Sequence, residues 1–346
     1  MKLNEATIPH YRSEIIPTDI LKKKISLNEK YLKEKFTWYE IDERLQYFKI
    51  RNDFRLFTEQ FFSMLGKEVF DLDTLEYRVS YVRTIDPVVK SCDEKTQCGL
   101  LSDNFQEKGY NYYLVSELHN SEISDFVAYG GYSLESLLAF FKDYLTYDSY
   151  KENELFLIRL FISDAYTHQV DRNHHNIGFK IPKINGVPYN KRLHPEILRN
   201  SKCAKDHIEI KDNGQLLLKG LTPTKVYDSE RSFGTDHKDV FTYHQGQIWT
   251  PLFPYNSQTL FESQEKALEV SEIYDGLDPN LCELYMNHTD ICKPYFERIA
   301  YDDEYRKILE RFKHRNSQIF LTPSEEERIT SILEDKRETF QRILKY

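Results

Sequence analysis

Apolar and polar positions change period along this chain, and the changes mark its elements. Residues 36-FTWYEIDERLQYFKI-50 set aromatic and β-branched side chains in partial alternation on both sides of an Asp-Glu-Arg turn, which predicts a hairpin ending near Lys49. Next, 53-DFRLFTEQFFSMLG-66 places Phe54, Phe57, Phe61 and Leu65 at helical spacing and predicts a helix with one buried face that stops at Gly66. Strands are expected again at 76–85 and 110–118, giving an opening order of strand, strand, helix, strand, strand. From Ser133 onward the period becomes helical, over 133–145 and 153–169. The C-terminal segment 322–346 opens with Thr322 as N-cap, Pro323 at the first helical position and Glu325 completing a capping box. The expectation is an α+β fold with a β-rich part over 1–118 and a helical part over 119–346.

Composition narrows this picture. The chain has 346 residues, 40% hydrophobic and 30% charged, with 22 Phe and 25 Tyr, so its core is expected to be rich in aromatic rings. A net charge of −9 opposes non-specific nucleic-acid binding. The five cysteines include no CxxC pair, and their odd number argues against a disulfide framework, which fits a reducing compartment. The apolar run from Leu155 to Ile162 is short and interrupted by Arg159, and the first residues lack the apolar core of a signal peptide. A cytoplasmic protein without a membrane span is the expectation.

Candidate chemistry concentrates in 159-RLFISDAYTHQVDRNHHNIGF-179, where an apolar segment runs into two carboxylates, three histidines and two asparagines. Phosphoryl transfer needs a carboxylate to orient the attacking hydroxyl, and an Asn and a second Asp to hold divalent ions on the phosphates. Asp171 and Asn176 stand five positions apart, the spacing of the catalytic-loop Asp and Asn in kinases. Downstream, Asp228 in 222-TPTKVYDSERSFG-234 follows a short apolar approach and suits a second metal ligand, although Asp-Ser-Glu-Arg also suits a turn. Two other readings stay open. His168, His174 and His175, with His194 or His207, could ligate a transition metal in a phosphohydrolase. The cluster could also be only the polar end of a helix.

The order of motifs resembles the HipA-like kinases, including the compact CtkA-type members. Their pattern is a helix with an Asp, then D-R-H-x-x-N-x-G-F, then a strand and P-x-x-D-x-G-x-S. Matching positions here are Asp164, 171-DRNHHNIGF-179, and Asp228 with Ser232; upstream, Lys49 matches the family's ATP-binding lysine and Glu59 its partner. The segment 112–118, ending in Glu117 and Leu118, sits where the nucleotide-contacting hinge between lobes belongs. The resemblance implies a two-lobed, protein-kinase-like α+β fold with ATP and Mg²⁺ between the lobes. Lys49, Glu59, Glu117 and Leu118 would serve the nucleotide, Asp171 and Asn176 catalysis, and Asn176 and Asp228 the metal. It further implies Ser/Thr phosphorylation of a protein substrate, a toxin or effector role, and an antitoxin or host protein as partner.

Three departures accompany it. Asn173 replaces the family's histidine, residues 182–207 form an inserted loop bearing a basic run, and the first glycine of the chain is Gly66. No Gly-rich loop therefore precedes Lys49, although close backbone approach to phosphate is what glycine permits. A nucleotide-binding or partner-binding pseudokinase is the alternative that this last departure raises.

Overall fold

A computed structural model describes residues 15–16, 36–41, 44–50, 55–84, 95–105, 107, 109–115, 134–169, 172, 176–183, 205–227, 229, 232–233, 242–244, 247–249, 277, 279–315 and 322–345. They form an α+β fold. Strands β1 (Ile15–Ile16), β2 (Phe36–Ile41), β3 (Arg44–Ile50), β4 (Tyr77–Thr84) and β5 (Lys95–Asp103) build a five-stranded sheet in the order β1-β4-β5-β3-β2. The hairpin expected over 36–50 is present, with Phe36 opposite Lys49 and Ile41 opposite Arg44. On its other side β3 pairs with β5, which sets Lys49 opposite Leu100. Lys49 therefore stands on an inner strand, not at a sheet edge.

Helix α1 (Arg55–Val69) packs on this sheet. Its Phe57, Phe61 and Leu65 stripe is buried as the spacing predicts, but the helix runs past Gly66. That glycine serves close approach, because a Cβ on it would stand 2.7 Å from Thr74 Cγ2. Thr74 and its neighbour fix the strand start there: Ser63 Oγ donates to the Leu75 carbonyl at 2.6 Å, and Thr74 Oγ1 donates to the Ser63 carbonyl at 2.9 Å.

A second, three-stranded sheet has the order β10-β7-β6, from β6 (Tyr110–Leu114), β7 (Gly178–Pro182) and β10 (Thr222–Pro223). The strand expected at 110–118 thus ends as a strand at Leu114 and pairs with β7, with Tyr113 opposite Phe179. Burial explains the choice. Tyr113, Phe179 and Ile181 share one sheet face and sink into the helical core, which a position on the first sheet would not allow. Residues 104–109 connect β5 of the first sheet to β6 of the second. Smaller pairings join β8 (Ile208–Ile210) to β9 (Leu216–Leu218) and β11 (Thr242–His244) to β12 (Gln247–Trp249).

The helical part holds α2 (Leu134–Tyr144), α3 (Tyr147–Thr167), α4 (Pro279–Asn287), α5 (Thr289–Tyr301), α6 (Glu304–Arg315) and α7 (Pro323–Ile343). Helix α3 begins at Tyr147, ahead of the expected start at 153. Its first turns bury polar side chains: Asn153 Nδ2 donates to the Ser149 and Leu221 carbonyls at 2.6 and 2.8 Å, and Ser149 Oγ accepts from the Gly220 amide at 3.0 Å. Satisfied polar groups can be buried without apolar spacing. One continuous apolar core unites α1, both faces of α3, the inner face of the second sheet and the C-terminal helices. Among the described residues no helix is long and apolar enough to cross a membrane.

The capping box at Thr322 is present, with the Glu325 amide donating to Thr322 Oγ1 at 3.2 Å and the Thr322 amide donating to Glu325 Oε2 at 2.8 Å. Thr322→Ala should lower unfolding stability by about 1 kcal/mol, the usual worth of an N-cap side chain, read as a shifted midpoint in urea. An unchanged midpoint would mean that tertiary packing alone fixes the start of α7.

Candidate functional site

Two buried ion pairs organise the region between the sheets. In the first, Lys49 Nζ donates to Glu59 Oε1 at 2.8 Å, with the side chains 3% and 0% exposed. The pairing left open by the sequence, a carboxylate on the helix surface or one turned toward Lys49, is resolved in favour of Lys49. A buried lysine is costly unless it is paired and hydrogen-bonded, and such a pair is weak evidence for stability. A strand on the inside of the sheet would be more stable with an aliphatic residue there, so this charge needs another explanation.

The second pair lies between Asp164 and Arg172. Helix α3 ends at His168, whose φ of 53° and ψ of 47° place it in the left-handed region, and the Gln169 amide donates back to the Asp164 carbonyl at 2.9 Å. The turn brings Arg172 back over the helix end. Its Nε donates to Asp164 Oδ2 at 2.9 Å and its Nη2 to Oδ1 at 3.0 Å, with both side chains at 0% exposure. Burial pushes the Asp164 carboxyl up from its ordinary range, and the guanidinium opposes that shift. Arginine does not lose its proton inside proteins, so a neutral Asp164 would strand a buried cation; the bidentate ion pair is the stable form.

Arg172 also reaches the segment that carries Asp228. Its Nη1 donates to the Tyr227 carbonyl at 2.8 Å and its Nη2 to Ser229 Oγ at 2.9 Å. One guanidinium thus holds the residues on either side of Asp228 while standing next to Asp171 in the chain. Asp171 and Asp228 themselves lie outside the described residues, as do Asn173, His174, His175, Glu117 and Leu118. Asn176 is described and is 9% exposed, two residues ahead of β7. His168 serves as the helix-ending residue, and no group of three His, Cys, Asp or Glu among the described residues could hold a metal ion.

A cavity of about 530 Å³ opens on the face of the second sheet turned away from the helical core. Its floor is the row Leu114 of β6, Gly178 of β7 and Thr224, which follows β10 directly. Gly178 keeps that floor open, because a Cβ there would meet Thr224 Oγ1 at 2.8 Å. Phe105 and Tyr227, stacked with centroids 5.6 Å apart and planes at 19°, form a wall. Both pack on the cluster of Leu75, Tyr77 and Leu100, and Leu100 is the cross-strand neighbour of Lys49. On β7, Lys180 pairs with Glu107; burial lowers the lysine's pKa, but the hydrogen bond and charge of Glu107 outweigh it and leave it raised.

The sequence reading therefore brought together Lys49 and Glu59 but missed Arg172 as the residue that ties the site. A signal was available. Asp164 sits among Phe161, Ile162 and Ala165 in an otherwise apolar stretch, and a buried carboxylate demands a cation. Phe105, Gly178 and Tyr227 carried no local signal, since their role depends on which strands become neighbours.

No family model and no curated protein matches the sequence. Among solved structures, a Helicobacter pylori proinflammatory kinase, CtkA, aligns over 93% of this chain and 99% of its own at 11% identity with a TM-score of 0.44. The HipA toxin of a Shewanella oneidensis MR-1 toxin–antitoxin system, solved with HipB and operator DNA, aligns over 94% of this chain and 66% of its own at 12% identity, also with a TM-score of 0.44.

Removing one partner of a buried ion pair leaves an uncompensated charge, at a cost of about 3–5 kcal/mol. Arg172→Ala should show a loss of that size in urea unfolding, and the double variant Asp164→Leu with Arg172→Met should recover much of it. A loss under about 1 kcal/mol in the single variant would be the value of an exposed pair and would contradict the burial described.

Proposed function

We propose that this protein is an ATP-dependent kinase that transfers the γ-phosphate to a Ser or Thr hydroxyl of a protein substrate. The observation that carries the reading is the buried Lys49–Glu59 pair, a lysine on an inner strand clasped by a carboxylate from the helix that follows. Kinases use a strand lysine paired with a helix glutamate to place nucleotide phosphates. A charge that costs stability at such a position is accounted for if it meets a phosphate.

The residue types in the motifs fit the same group. An Asn amide oxygen and an Asp carboxylate are hard oxygen donors suited to Mg²⁺, and Asn176 and Asp228 would hold it. When bound, ATP with Mg²⁺ supplies the phosphoryl group and neutralises its charge. Lys49, held by Glu59, would pair with the phosphates, and Asp171 would orient the acceptor hydroxyl. The cavity over Gly178 offers an aromatic wall and an open floor for a nucleotide base, and this supports placing the base against Phe105 and Tyr227. Arg172 would keep Asp171 and Asp228 in fixed relation, so that catalysis rests on positioning and electrostatic stabilisation.

The motif resemblance extends the proposal to a toxin or effector acting in a cytoplasm, restrained or received by an antitoxin or host protein. A second reading has one specific support. Because no glycine precedes Gly66, the phosphates lack the usual covering loop, and a pseudokinase that binds nucleotide without turnover would show the same buried pair.

Labelled γ-phosphate transfer, to the protein itself or to a lysate protein, separates these readings. Asp171→Asn should abolish transfer while leaving Mg-ATP affinity within a few-fold of wild type, because orienting the hydroxyl is distinct from holding the metal–phosphate complex. Lys49→Ala should weaken both. Wild type that binds Mg-ATP without any transfer would establish the pseudokinase, and wild type that does not bind Mg-ATP would end the kinase reading.

A further inference from the structure

The hairpin of β8 and β9 is fastened on one side. The Thr146 amide, between α2 and α3, donates to the Leu218 carbonyl of β9 at 3.0 Å, and Gln215 Nε2 donates to the Asp143 carbonyl of α2 at 2.9 Å. Strand β9 therefore lies against the helical part, and β8 is the outer strand. The turn between them is well defined: Gly214 has φ 83°, its amide donates to the Lys211 carbonyl at 2.8 Å, and Asn213 Oδ1 accepts from the Gln215 amide at 3.0 Å. Glycine takes such a backbone without a Cβ penalty, and a defined turn fixes the register of β8 on β9.

Hydrogen-bond phase decides which groups of β8 face outward. The Lys219 amide donates to the His207 carbonyl at 2.8 Å and the Lys211 amide to the Gln215 carbonyl at 2.9 Å. In an antiparallel pair alternate residues bond to the neighbour, so His207, Glu209 and Lys211 turn toward β9. Ile208 and Ile210 turn their N–H and C=O groups to the open side, where none of the described residues pairs with them. Side chains divide by the same alternation. Ile208 enters the core at 8% exposure, whereas Ile210 on the same face is 62% exposed. Glu209 and Lys211 share the other face and are exposed. Glu209 meets Lys219 at 3.8 Å, an exposed contact of little worth.

Charged residues on an edge strand ordinarily keep other strands away. Here the two charges are opposite in sign and flank an exposed isoleucine, which makes the edge complementary to itself. Laid antiparallel on its own copy about Ile210, β8 would set Ile210 against Ile210 and exchange both backbone hydrogen bonds between them. Glu209 would face Lys211 of the second copy, and Lys211 would face its Glu209. These flanking positions are the ones without hydrogen bonds, where side chains approach closest. Centring the pair on Glu209 or Lys211 instead would oppose like charges. We propose that β8 is an interface between two copies of this chain, a two-fold antiparallel strand pair centred on Ile210. In a two-fold contact each favourable pair occurs twice. An edge this short covers little area, so the dimer is weak and forms at high protein concentration. It does not depend on the kinase reading.

Sedimentation equilibrium of the full chain, 41.4 kDa as a monomer, tests this over a concentration series reaching about 1 mM. Wild type should move from monomer toward dimer within that series. Glu209→Lys should weaken association about tenfold, because like charges would then face each other at both symmetric positions. Lys211→Glu should do the same with the opposite sign. Both side chains are exposed, so neither change threatens the fold. Mixed in equal amounts, the two single variants should associate with each other about as tightly as wild type does with itself. The double variant Glu209→Lys with Lys211→Glu should recover self-association to within about threefold. Wild type that stays monomeric to about 1 mM would overturn the proposal and leave the edge to an extended segment of another protein. A dimer indifferent to the single variants would also overturn it, as would one that neither the mixture nor the double variant restores, since its contact would lie elsewhere.

Discussion

The buried guanidinium of Arg172 is the constraint on which the rest of the site depends. Taking two charges out of water costs several kcal/mol per ion, and only close geometry with every donor satisfied offsets it. Arg172 comes close to that condition, with four of its five N–H groups directed at the two Asp164 oxygens, the Tyr227 carbonyl and Ser229 Oγ. Its Cζ also lies 5.5 Å from the centroid of the Phe62 ring of α1. The end of α3, the start of the Asp171 loop, both flanks of Asp228 and the helix carrying Glu59 therefore converge on one side chain. Neither the end of α3 nor the flanks of Asp228 can move away from Arg172 without leaving a buried donor or acceptor unpaired, which is the costly outcome for a polar group in a core.

Helix α1 links this constraint to the other ion pair. Phe62 faces Arg172, Glu59 faces Lys49, and Phe57 with Phe61 faces Phe233, so successive side chains of one helix read three different parts of the molecule. That arrangement explains why α1 is buried from Phe57 through Ser63 and carries polar residues inside. An ordinary surface helix buries one stripe. Burying all sides of a helix next to two ion pairs is expensive in stability, and it suits a site in which charges must be held before a ligand arrives.

Much of this was legible in the chain. The hairpin to Lys49, the Phe stripe of α1 and the capping box of α7 all follow local rules of period and termination, and local rules survive folding. Elements went unread where burial was polar or pairing was distant. Strand β5 mixes Thr96, Gln97 and Ser102 with its apolar residues, so alternation does not mark it. The start of α3 was hidden because Ser149 and Asn153 are buried by hydrogen bonding instead of by apolar spacing. Helices α4 to α6 do space Leu281 and Leu284, then Cys292, Tyr295, Phe296 and Ile299, at helical intervals, but exposed charges surround these stripes. In the site, the five-residue step from Asp171 to Asn176 was visible, whereas the reach of Arg172 to Tyr227 and Ser229 depends on contacts across more than fifty positions of sequence. The cavity floor is similar: Leu114, Gly178 and Thr224 become neighbours only once β6 has chosen β7.

The account comes down to whether a metal–nucleotide complex is what the buried charges await. A crystal structure of the protein with Mg²⁺ and a non-hydrolysable ATP analogue addresses that directly. The account predicts phosphate oxygens within hydrogen-bond distance of Lys49 Nζ, Mg²⁺ bound by Asn176 and Asp228, and the base lying over Gly178 beside Phe105 and Tyr227. Nucleotide bound elsewhere, or no nucleotide at saturating concentration with the Lys49–Glu59 pair unchanged, would contradict it.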